Sequence, residues 1–344
     1  MKKLIAVLVV LLFAAPALAA DWAFYGSQRI GTWYTEREYP GDSSAYGGSS
    51  DAATQMYFQG NSRLGAKVKA DKVTGQIELA LGAGGDVGDT SVATRRAYGV
   101  WKISDFTSLK IGKDYSPVTD FISNQWYSSD NDLLGEGNFY GRRPGGITLM
   151  LGNFELAALV PTYGADLNTT ATGINGATGN TDPDSYIPRF EASYNLKLGA
   201  GYIKPFGGFQ YYTVKQGAST TVTDDLDVLS WVAGLSTNWN IGAFSIGGQL
   251  SYGANQGNVN GWSTGSQARS VASAYLDTGG DDIKDVNTLQ ALLVAGLKFT
   301  DTLRFEIGAG YRADDADDVS GVNKDELWAV YLQAMVTMAP GVYL

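Results

Sequence analysis

The residues whose types and spacing could do chemistry lie in one long polar segment, residues 112–146, which reads GKDYSPVTDFISNQWYSSDNDLLGEGNFYGRRPGG. Two carboxylates, Asp114 and Asp120, lie in its first part, and two guanidinium groups, Arg142 and Arg143, lie near its end. Such groups bind ions and orient polar solutes where they line a confined, water-filled space. A compact domain seldom carries more than about 12–15 residues without secondary structure unless the loop is functional. We therefore interpret this segment as a functional loop.

Enzyme chemistry has little support, because the chain contains no histidine and no cysteine. The absence of histidine removes the base of Ser–His and Asp–His sites, and the absence of cysteine removes thiol nucleophiles. A carboxylate-only or Ser–Lys site stays open. The glycine-rich run GAGGDVG at residues 82–88 lacks the Lys-Ser/Thr pair of a phosphate-binding loop. We therefore predict that the protein is not an enzyme.

The first 20 residues, MKKLIAVLVVLLFAAPALAA, have the organisation of a secretory signal peptide. Two lysines precede an apolar run, and Ala17-Leu18-Ala19 forms a small-x-small cleavage site. A transmembrane anchor would instead need about 20 apolar residues and no cleavage site. Cleavage leaves residues 21–344 as the mature protein and makes the net charge of −10 more negative by the two lost lysines. This acidic balance argues against nucleic-acid binding.

Short segments in which apolar and polar residues alternate fill much of the mature chain. In residues 55–70, for example, apolar Leu64 and Val68 alternate with basic Arg63 and Lys67. A period of two is typical of a β-strand whose two faces meet different environments. No later stretch is long and apolar enough for a membrane helix, so the pattern favours a barrel with an apolar outer face and a polar inner face. The pattern recurs near residues 73–81, 189–198, 244–252, 288–299, 303–312 and 328–336.

The lengths of the connections alternate as well. Short turns, such as residues 71–72, 152–153, 199–200, 242–243 and 301–302, are followed by long polar loops rich in Gly, Asn, Asp, Ser and Thr. This asymmetry is typical of outer-membrane barrels, with short periplasmic turns and long extracellular loops. A soluble all-β sandwich or β-helix is the alternative, and it would not separate its loops in this way. Aromatic residues near the strand ends fit the interfacial girdles of a barrel.

We therefore predict an all-β fold, a transmembrane antiparallel β-barrel that occupies residues 21–344. The alternation rule gives about 14 strands, and a barrel of the 16-stranded type, one of the even numbers that such proteins favour, needs one further hairpin. The sequence stops three residues after a turn at residues 339–341. Three residues are too few to cross a bilayer, so we expect either a barrel with a short tail or a chain truncated near its C-terminus.

Several of these features together resemble the general trimeric porins of Gram-negative bacteria. They are the signal peptide, the first strand WAFYGSQRIGTWY at residues 22–34, the basic second strand, and GKDYSP followed by Asp120. The closest resemblance is to the homotrimeric outer-membrane porins of sulfate-reducing bacteria. It implies that residues 113–146 form constriction loop 3, folded inward after the fifth strand, and that the protein is a homotrimer in the outer membrane. One departure is the final Leu344, where these porins generally end with an aromatic residue.

The resemblance also implies a set of pore-constriction residues. Acidic Asp114 and Asp120 of the loop would lie opposite basic residues of the early strands, and opposed charges create a transverse field that orients dipolar solutes. For Arg63 and Lys67 the alternation itself favours the lumen. The loop acids could equally be ordinary solvated charge, and the two arginines at the loop return could bind lipopolysaccharide phosphates. The proposed constriction set is Asp114, Asp120, Arg29, Arg63, Lys67, Arg96, Arg142 and Arg143.

Acidic clusters in other long loops are candidate sites for divalent cations that bridge lipopolysaccharide, since hard cations favour carboxylate oxygens. Solvated charge is the alternative, and no cluster has the spacing of an EF-hand. No other cofactor is expected. The clusters are Asp224, Asp225 and Asp227; Asp281, Asp282 and Asp285; and Asp314, Asp315, Asp317 and Asp318.

The function that follows is a porin that allows passive diffusion of small hydrophilic solutes and ions. One alternative is a substrate-specific channel for a sugar or an anion, in which Trp126, Tyr127, Phe139 and Tyr140 could stack on sugar rings. Another is a structural or adhesive barrel with a plugged lumen. The net charge favours a weak preference for cations, although the basic wall residues favour anions.

Overall fold

The computed structural model describes residues 20–38, 50–82, 92–126, 132–163, 168–169, 183–214, 225–259, 262, 272–276, 282–316 and 324–344. Apart from its last residue, the predicted signal peptide lies outside these ranges. The chain forms two units, residues 1–99 with 126–131 and residues 100–125 with 132–344. In the described ranges no helix combines the length and the apolar character needed to cross a membrane.

The first unit is built from antiparallel strands. β4 pairs with β1 on one side and with β5 on the other, β6 follows β5, and β2 and β3 form a separate two-stranded sheet. The strands are β1 (Asp21–Ser27), β2 (Ile30–Glu38), β3 (Ser50–Phe58), β4 (Arg63–Ala70), β5 (Val73–Leu81) and β6 (Val92–Lys102), of which residues 92–99 belong to this unit.

The strand predicted at residues 55–70 is interrupted in the structure at residues 59–62. The backbone N–H of Gln59 donates to the carbonyl oxygen of Arg29 at 3.0 Å, and the Ser62 hydroxyl accepts from the backbone N–H of Arg29 at 3.0 Å. Residues 28–29 are the matching break between β1 and β2. Alternation of side chains continues on both sides of such a break, so the sequence pattern does not reveal it.

The second unit contains one long antiparallel meander. Each strand pairs with the next in the order β7, β8, β9, β12, β14, β15, β16, β19, β20, β21, β22, with β11 and β13 also on β14. A small separate sheet joins β10, β17 and β18. The elements are β7 (Thr107–Lys113), β8 (Gly145–Leu151), β9 (Phe154–Leu159), β10 (Asn168–Thr169), β11 (Pro183–Asp184), β12 (Arg189–Tyr194), β13 (Leu196–Leu198), β14 (Gly201–Val214), β15 (Leu226–Ile241), β16 (Phe244–Ala254), the 3₁₀ helix Gln256–Asn258, β17 (Tyr275–Leu276), β18 (Ile283–Lys284), β19 (Val286–Lys298), β20 (Leu303–Ala316), β21 (Lys324–Ala339) and β22 (Val342–Tyr343).

The two faces of this meander differ in a way that reverses the usual arrangement of a soluble sheet. On β19, polar Thr288 and Gln290 are fully buried, whereas apolar Leu289 and Leu293 are exposed, the latter by 58%. The same inversion holds on β15, β16 and β20. Because an exposed apolar face is favourable only against an apolar environment, this face fits contact with lipid. The faces predicted from the alternation are confirmed for β16, β19 and β20, whereas β15 was not predicted.

The short turns lie where the sequence predicts them. Gly199 and Gly242 have φ angles of 57° and 63°, in the left-handed region that glycine adopts without a steric penalty. Two other turns carry a lysine and an aspartate three residues apart, with Nζ–Oδ1 distances of 2.6 Å for Lys102–Asp105 and 2.7 Å for Lys298–Asp301. In each pair the hydrogen bond from the ammonium lowers the pKa of the aspartate.

If the exposed apolar face meets lipid, a charge placed on it should be costly. Leu293→Arg, near the middle of β19, should lower the free energy of unfolding in lipid bilayers by about 2–4 kcal/mol, the cost of a basic residue near the bilayer midplane. Urea titration of the protein refolded into vesicles measures this. Thr300→Arg, in the turn before β20, is the matched control and should have little effect. Equal effects of the two variants would contradict a lipid-facing β19.

Candidate functional site

The predicted functional loop runs from the end of β7 to the start of β8, so it spans residues 114–144. The predicted boundaries of 113–146 are slightly too wide, because Lys113, Gly145 and Gly146 belong to strands. β7 is the fifth strand, as predicted, when β1 with β2 and β3 with β4 are each counted as one interrupted strand. In the second unit, the described loop residues 114–125 and 132–144 pack against the polar face of the meander.

Apolar side chains hold the loop to this face at two places. Val118 and Phe139 are fully buried and pack with Phe206 of β14 and Val232 of β15, and the rings of Phe139 and Phe206 stack at 5.9 Å. A second cluster brings Ile122 and Leu133 of the loop against Leu292 and Val294 of β19. Burying an apolar side chain of this size stabilises a fold by about 1.5–3 kcal/mol. These contacts therefore fix the loop firmly on the wall.

A glycine in the wall allows the loop backbone to approach closely. At Gly310 of β20, a Cβ atom would collide with the carbonyl oxygen of Glu136. Any other residue would force the loop away from the strand or shift the strand itself. The glycine is therefore part of the surface that receives the loop.

Asp120 anchors the first half of the loop through hydrogen bonds. One of its carboxylate oxygens accepts from the Tyr202 hydroxyl at 2.9 Å and from the Ser236 hydroxyl at 2.5 Å. Beside it, Lys204 Nζ donates to the carbonyl oxygen of Thr119 at 2.8 Å. These three wall residues lie on β14 and β15. The carboxylate predicted to face the pore thus also fastens the loop.

Glu306 of β20 anchors the middle of the loop. Its fully buried carboxylate accepts from the backbone N–H of Asn124 at 2.7 Å and from the side-chain amide of the same residue at 2.8 Å. The Tyr331 hydroxyl at 2.7 Å and Arg304 at 3.1 Å also donate to it. Tyr331 further contacts Ser123, with 2.7 Å between the hydroxyl oxygens. The sequence places Glu306 on the polar face of its strand but gives no sign of this partner.

A second segment, whose described residues 255–259 and 262 follow β16, packs beside the loop on the same face of the meander. Trp262 of this segment is 1% exposed, and its ring lies 5.9 Å from that of Phe139. Its indole N–H donates to Glu191 at 3.0 Å, and Glu191 forms a buried ion pair with Arg189 at 3.3 Å. The guanidinium of Arg189 lies 5.8 Å from the centre of the Trp262 ring. The constriction loop thus packs against the wall and against a second segment on the same face, which the sequence did not predict.

Of the three remaining predicted residues of the loop, Asp114 and Arg143 also contact other side chains. Asp114 is buried and paired with Lys110 of β7 at 3.0 Å. Arg143 stacks on Tyr115, with its guanidinium carbon 5.1 Å from the ring centre, and donates to the Tyr115 hydroxyl at 3.1 Å. Arg142 is exposed and has a φ angle of 57°. At the return of the loop, the exposed side chain is therefore that of Arg142.

The basic residues predicted on the early strands lie in the first unit, where the polar face of β4, β5 and β6 brings most of them together. Glu78 accepts from Arg95 at 2.9 Å and lies 3.9 Å from Arg63. Lys67 lies over the ring of Tyr25 at 5.4 Å, and Arg96 lies over the ring of Tyr98 at 5.3 Å. Arg95 and Glu78 were not predicted. A strict alternation places Arg95 on the face opposite to Arg96, which explains the omission.

Two further contacts of the first unit concern Arg29 and the tip of the loop. Arg29 lies in the break between β1 and β2, and its backbone bonds to Gln59 and Ser62. The side-chain amide of Gln59 also donates to the carbonyl oxygen of Trp126 at 2.9 Å. Trp126 therefore lies beside the segment that carries Arg29. The opposition of Asp114 and Asp120 to Arg63, Lys67 and Arg96 across a pore stays a prediction.

The acidic clusters of the long loops are only partly described, because Asp224, Asp281, Asp317 and Asp318 lie outside the described residues. Asp227 accepts from the Thr213 hydroxyl at 2.7 Å, and Asp314 pairs with Arg312 at 2.8 Å. Within the described ranges, no three acidic side chains are grouped so that they could hold a metal ion. These carboxylates are satisfied by protein partners.

Comparison with protein-family models and with curated proteins finds no match. Among solved structures, the outer membrane channel DcaP of Acinetobacter baumannii is similar, with a TM-score of 0.63 and 16% identity over 94% of this chain and 88% of that one. A Salmonella typhi OmpF complex with daunomycin has a TM-score of 0.57 and 14% identity, and the match covers 94% of this chain and 87% of that one. The anion-selective porin from Comamonas acidovorans has a TM-score of 0.55 and 13% identity, and the match covers 93% of this chain and 85% of that one.

At these identities the likeness shows the fold. The chain has the all-β, antiparallel barrel fold of Gram-negative outer-membrane porins, and the predicted fold class is confirmed. The finer resemblance to porins of sulfate-reducing bacteria stays an expectation.

Loss of the Glu306 anchor should free the middle of the loop. Glu306→Ala should accelerate amide hydrogen exchange at residues 121–125 by about tenfold or more, because the charged acceptor of the Asn124 N–H is removed and such bonds contribute about 1.5–3 kcal/mol. Glu326→Ala, at an exposed ion pair on β21, is the control. Unchanged exchange in Glu306→Ala would show that the anchor does not hold the loop.

Removal of Trp262 should be among the most damaging substitutions in the second unit. Trp262→Ala should lower the free energy of unfolding by about 3–5 kcal/mol, because it leaves a large cavity and removes the hydrogen bond that the indole N–H donates to the buried carboxylate of Glu191. Trp328→Ala, at a site that is 72% exposed, provides the comparison. Urea unfolding in detergent micelles measures both, and a cost below 1 kcal/mol for Trp262→Ala would refute the inward placement of this segment.

Proposed function

We propose that the protein is a porin, a water-filled channel through which small hydrophilic solutes and ions diffuse passively across the outer membrane of a Gram-negative bacterium. The observation that carries this proposal is the packing of residues 114–125 and 132–144 on the polar face of a sheet whose opposite face is apolar and exposed. A loop in that position narrows a polar passage without blocking contact with lipid. The similar solved structures include an outer membrane channel and an anion-selective porin, which supports the same conclusion.

The proposal includes a cellular location and an oligomeric state. Residues 1–20 direct export and are removed, and the mature chain inserts into the outer membrane as a homotrimer. Lipid contacts the exposed apolar side chains of strands such as β16 and β19, and lipopolysaccharide lies at the long loops. Arg142, exposed at the loop return, is a suitable partner for a lipopolysaccharide phosphate.

A general diffusion pore accounts for the loop better than an aromatic sugar slide does. The slide would need the loop aromatics to face the solute, yet Phe139 is fully buried between Phe206 and Trp262. Tyr127 lies outside the described residues. Tyr140 contacts Phe121 at 5.9 Å between ring centres, which is a packing contact within the loop.

A plugged structural barrel is the second candidate, and one observation favours it. Residues 255–259, 262 and 272–274 of the second segment are almost fully buried, and Asn255, Gln256 and Trp262 bond directly to β15, β19 and β12, so this segment covers a further part of the polar face. A complete plug predicts no ion conductance from correctly folded protein in planar bilayers. A porin predicts ohmic single-channel steps.

Shortening the loop separates these functions further. Deletion of residues 123–137 should raise single-channel conductance and admit larger neutral solutes, because this stretch covers the wall at Glu306 and Leu292. Conductance in planar lipid bilayers and swelling of proteoliposomes in sugars of increasing size measure the two effects. Deletion of residues 171–180, in the connection between β10 and β11, is the control and should leave both unchanged.

Heat-modifiable migration on gels confirms that each deletion variant has folded before its conductance is compared. A folded loop variant with wild-type conductance and size limit would show that residues 123–137 do not restrict the pore.

A further inference from the structure

The polar face of the first unit contains an open recess whose lining includes Lys67, one of the predicted constriction residues. Its volume is about 380 Å³, and it lies where β1, β4, β5 and β6 present their polar side chains. In the strand register, Lys67 pairs with Ala23 of β1 and with Gln76 of β5. The small side chain of Ala23 leaves room beside Lys67. The side chains that matter for its chemistry are Asp21, Lys67, Lys69, Thr74, Gln76 and Tyr98.

The two lysines give the recess its charge. Lys67 and Lys69 are two positions apart on β4, so they share one face and are separated by roughly 7 Å, twice the rise of a strand residue. In the described part of the chain, neither lysine forms an ion pair with a carboxylate. Lys67 instead lies over the ring of Tyr25. An ammonium in this position keeps most of its attraction for an anion.

A hydrogen-bonded network fixes the floor of the recess. The Tyr98 hydroxyl donates to Gln76 Oε1 at 2.9 Å, Gln76 Nε2 donates to the Tyr25 hydroxyl at 2.5 Å, and that hydroxyl donates to Glu78 at 2.8 Å. Connected bonds of this kind hold their members in one arrangement. The recess is therefore a pre-formed surface, with Lys67 on one side of the network and Arg96 over Tyr98 on the other.

Further basic residues on the same strands strengthen the positive potential. Arg63 and Arg95 flank Glu78, which is 3% exposed and accepts a hydrogen bond from Arg95, while Arg96 lies over Tyr98. Together with Lys67 and Lys69, these residues place several positive charges on the polar face of the first unit. A concave surface of one charge sign concentrates small ions of the opposite sign. Asp21 pairs with Lys69 in the strand register, and its negative charge reduces the positive potential at one end of the recess.

We propose that this recess is a binding site for small oxyanions, such as solutes that carry a carboxylate or phosphate group, with Lys67 as the principal contact. Lys69 assists less, because Asp21 lies beside it. The hydroxyl of Thr74 and the amide of Gln76 face the polar remainder of the solute. The site rests on the proposed channel function and adds to it a saturable step for anions in a protein whose net charge is −10.

The probe is inorganic phosphate, added to the refolded mature protein in planar bilayers with potassium chloride on both sides. Phosphate should reduce the chloride current in a saturable manner. Lys67→Gln should raise the phosphate concentration for half-maximal reduction about tenfold or more, as expected for loss of a charged hydrogen-bond donor. Lys69→Gln should raise it less.

Asp21→Asn gives a result of opposite sign and so separates binding from misfolding. Removal of this carboxylate should lower the half-maximal phosphate concentration, since it removes repulsion at the recess. Lys298→Gln removes one lysine charge at a turn ion pair and should have no effect. A half-maximal concentration that is the same in Lys67→Gln, Asp21→Asn and wild type would overturn the proposal.

Calorimetric titration of phosphate into the detergent-solubilised protein tests the site without any need for conductance. If the protein conducts but neither method detects phosphate binding, the anion site is wrong and the channel function stands. If calorimetry shows binding that Lys67→Gln weakens while no preparation conducts, the channel function is wrong and the site stands.

Discussion

Alternation of side chains along each β-strand is the constraint on which the rest of this structure depends. On the strands of the second unit it puts leucines and isoleucines on the exposed face, and glutamines, serines and threonines, with apolar residues such as Val232 and Leu292, on the face that receives the loop. A segment that folds onto the polar face must therefore supply hydrogen bonds as well as apolar contact. The constriction loop does so with its own backbone, through the Thr119 carbonyl and the N–H groups of Asn124 and Phe139, which bond to Lys204, Glu306 and Gln249.

The same constraint changes the role of the loop acids. Asp114 is neutralised by Lys110 within hydrogen-bond distance, and Asp120 is held by two wall hydroxyls. Their negative charge is therefore partly used to hold the loop in place. The first unit instead carries basic residues on the polar face of β4 and β6, with Arg63 and Arg95 at Glu78, Lys67 over Tyr25 and Arg96 over Tyr98. Positive charge is thus concentrated at one wall of a protein whose net charge is −10, so net charge is a poor guide to what a passage would prefer.

Much of the fold follows from the sequence, and the reason is local. Period-two alternation and turn composition act over a few residues, so the faces of β16, β19 and β20 and the turns at Gly199 and Gly242 are predictable. The break at residues 59–62 is not, because its bonds to Arg29 come from a different strand.

The site is predictable to a smaller degree. The sequence identifies the loop itself and the basic positions Arg63, Lys67 and Arg96 on the early strands. It cannot identify the anchors, because Asn124 and Glu306 are 182 positions apart and Trp262 and Glu191 are 71 apart. Nothing in either neighbourhood shows which residue will meet the other.

These separations also bear on the order in which the protein folds. The entropic cost of bringing two residues together rises with the length of chain between them, and contacts over 182 or 208 positions are among the longest in the chain. β20 and β21, by contrast, follow each other in the chain and pair directly. The Tyr331–Glu306 surface can therefore form before the loop docks on it. Such a folding route passes through a sheet that is complete before the loop covers its polar face, so the docking of the loop is the last step.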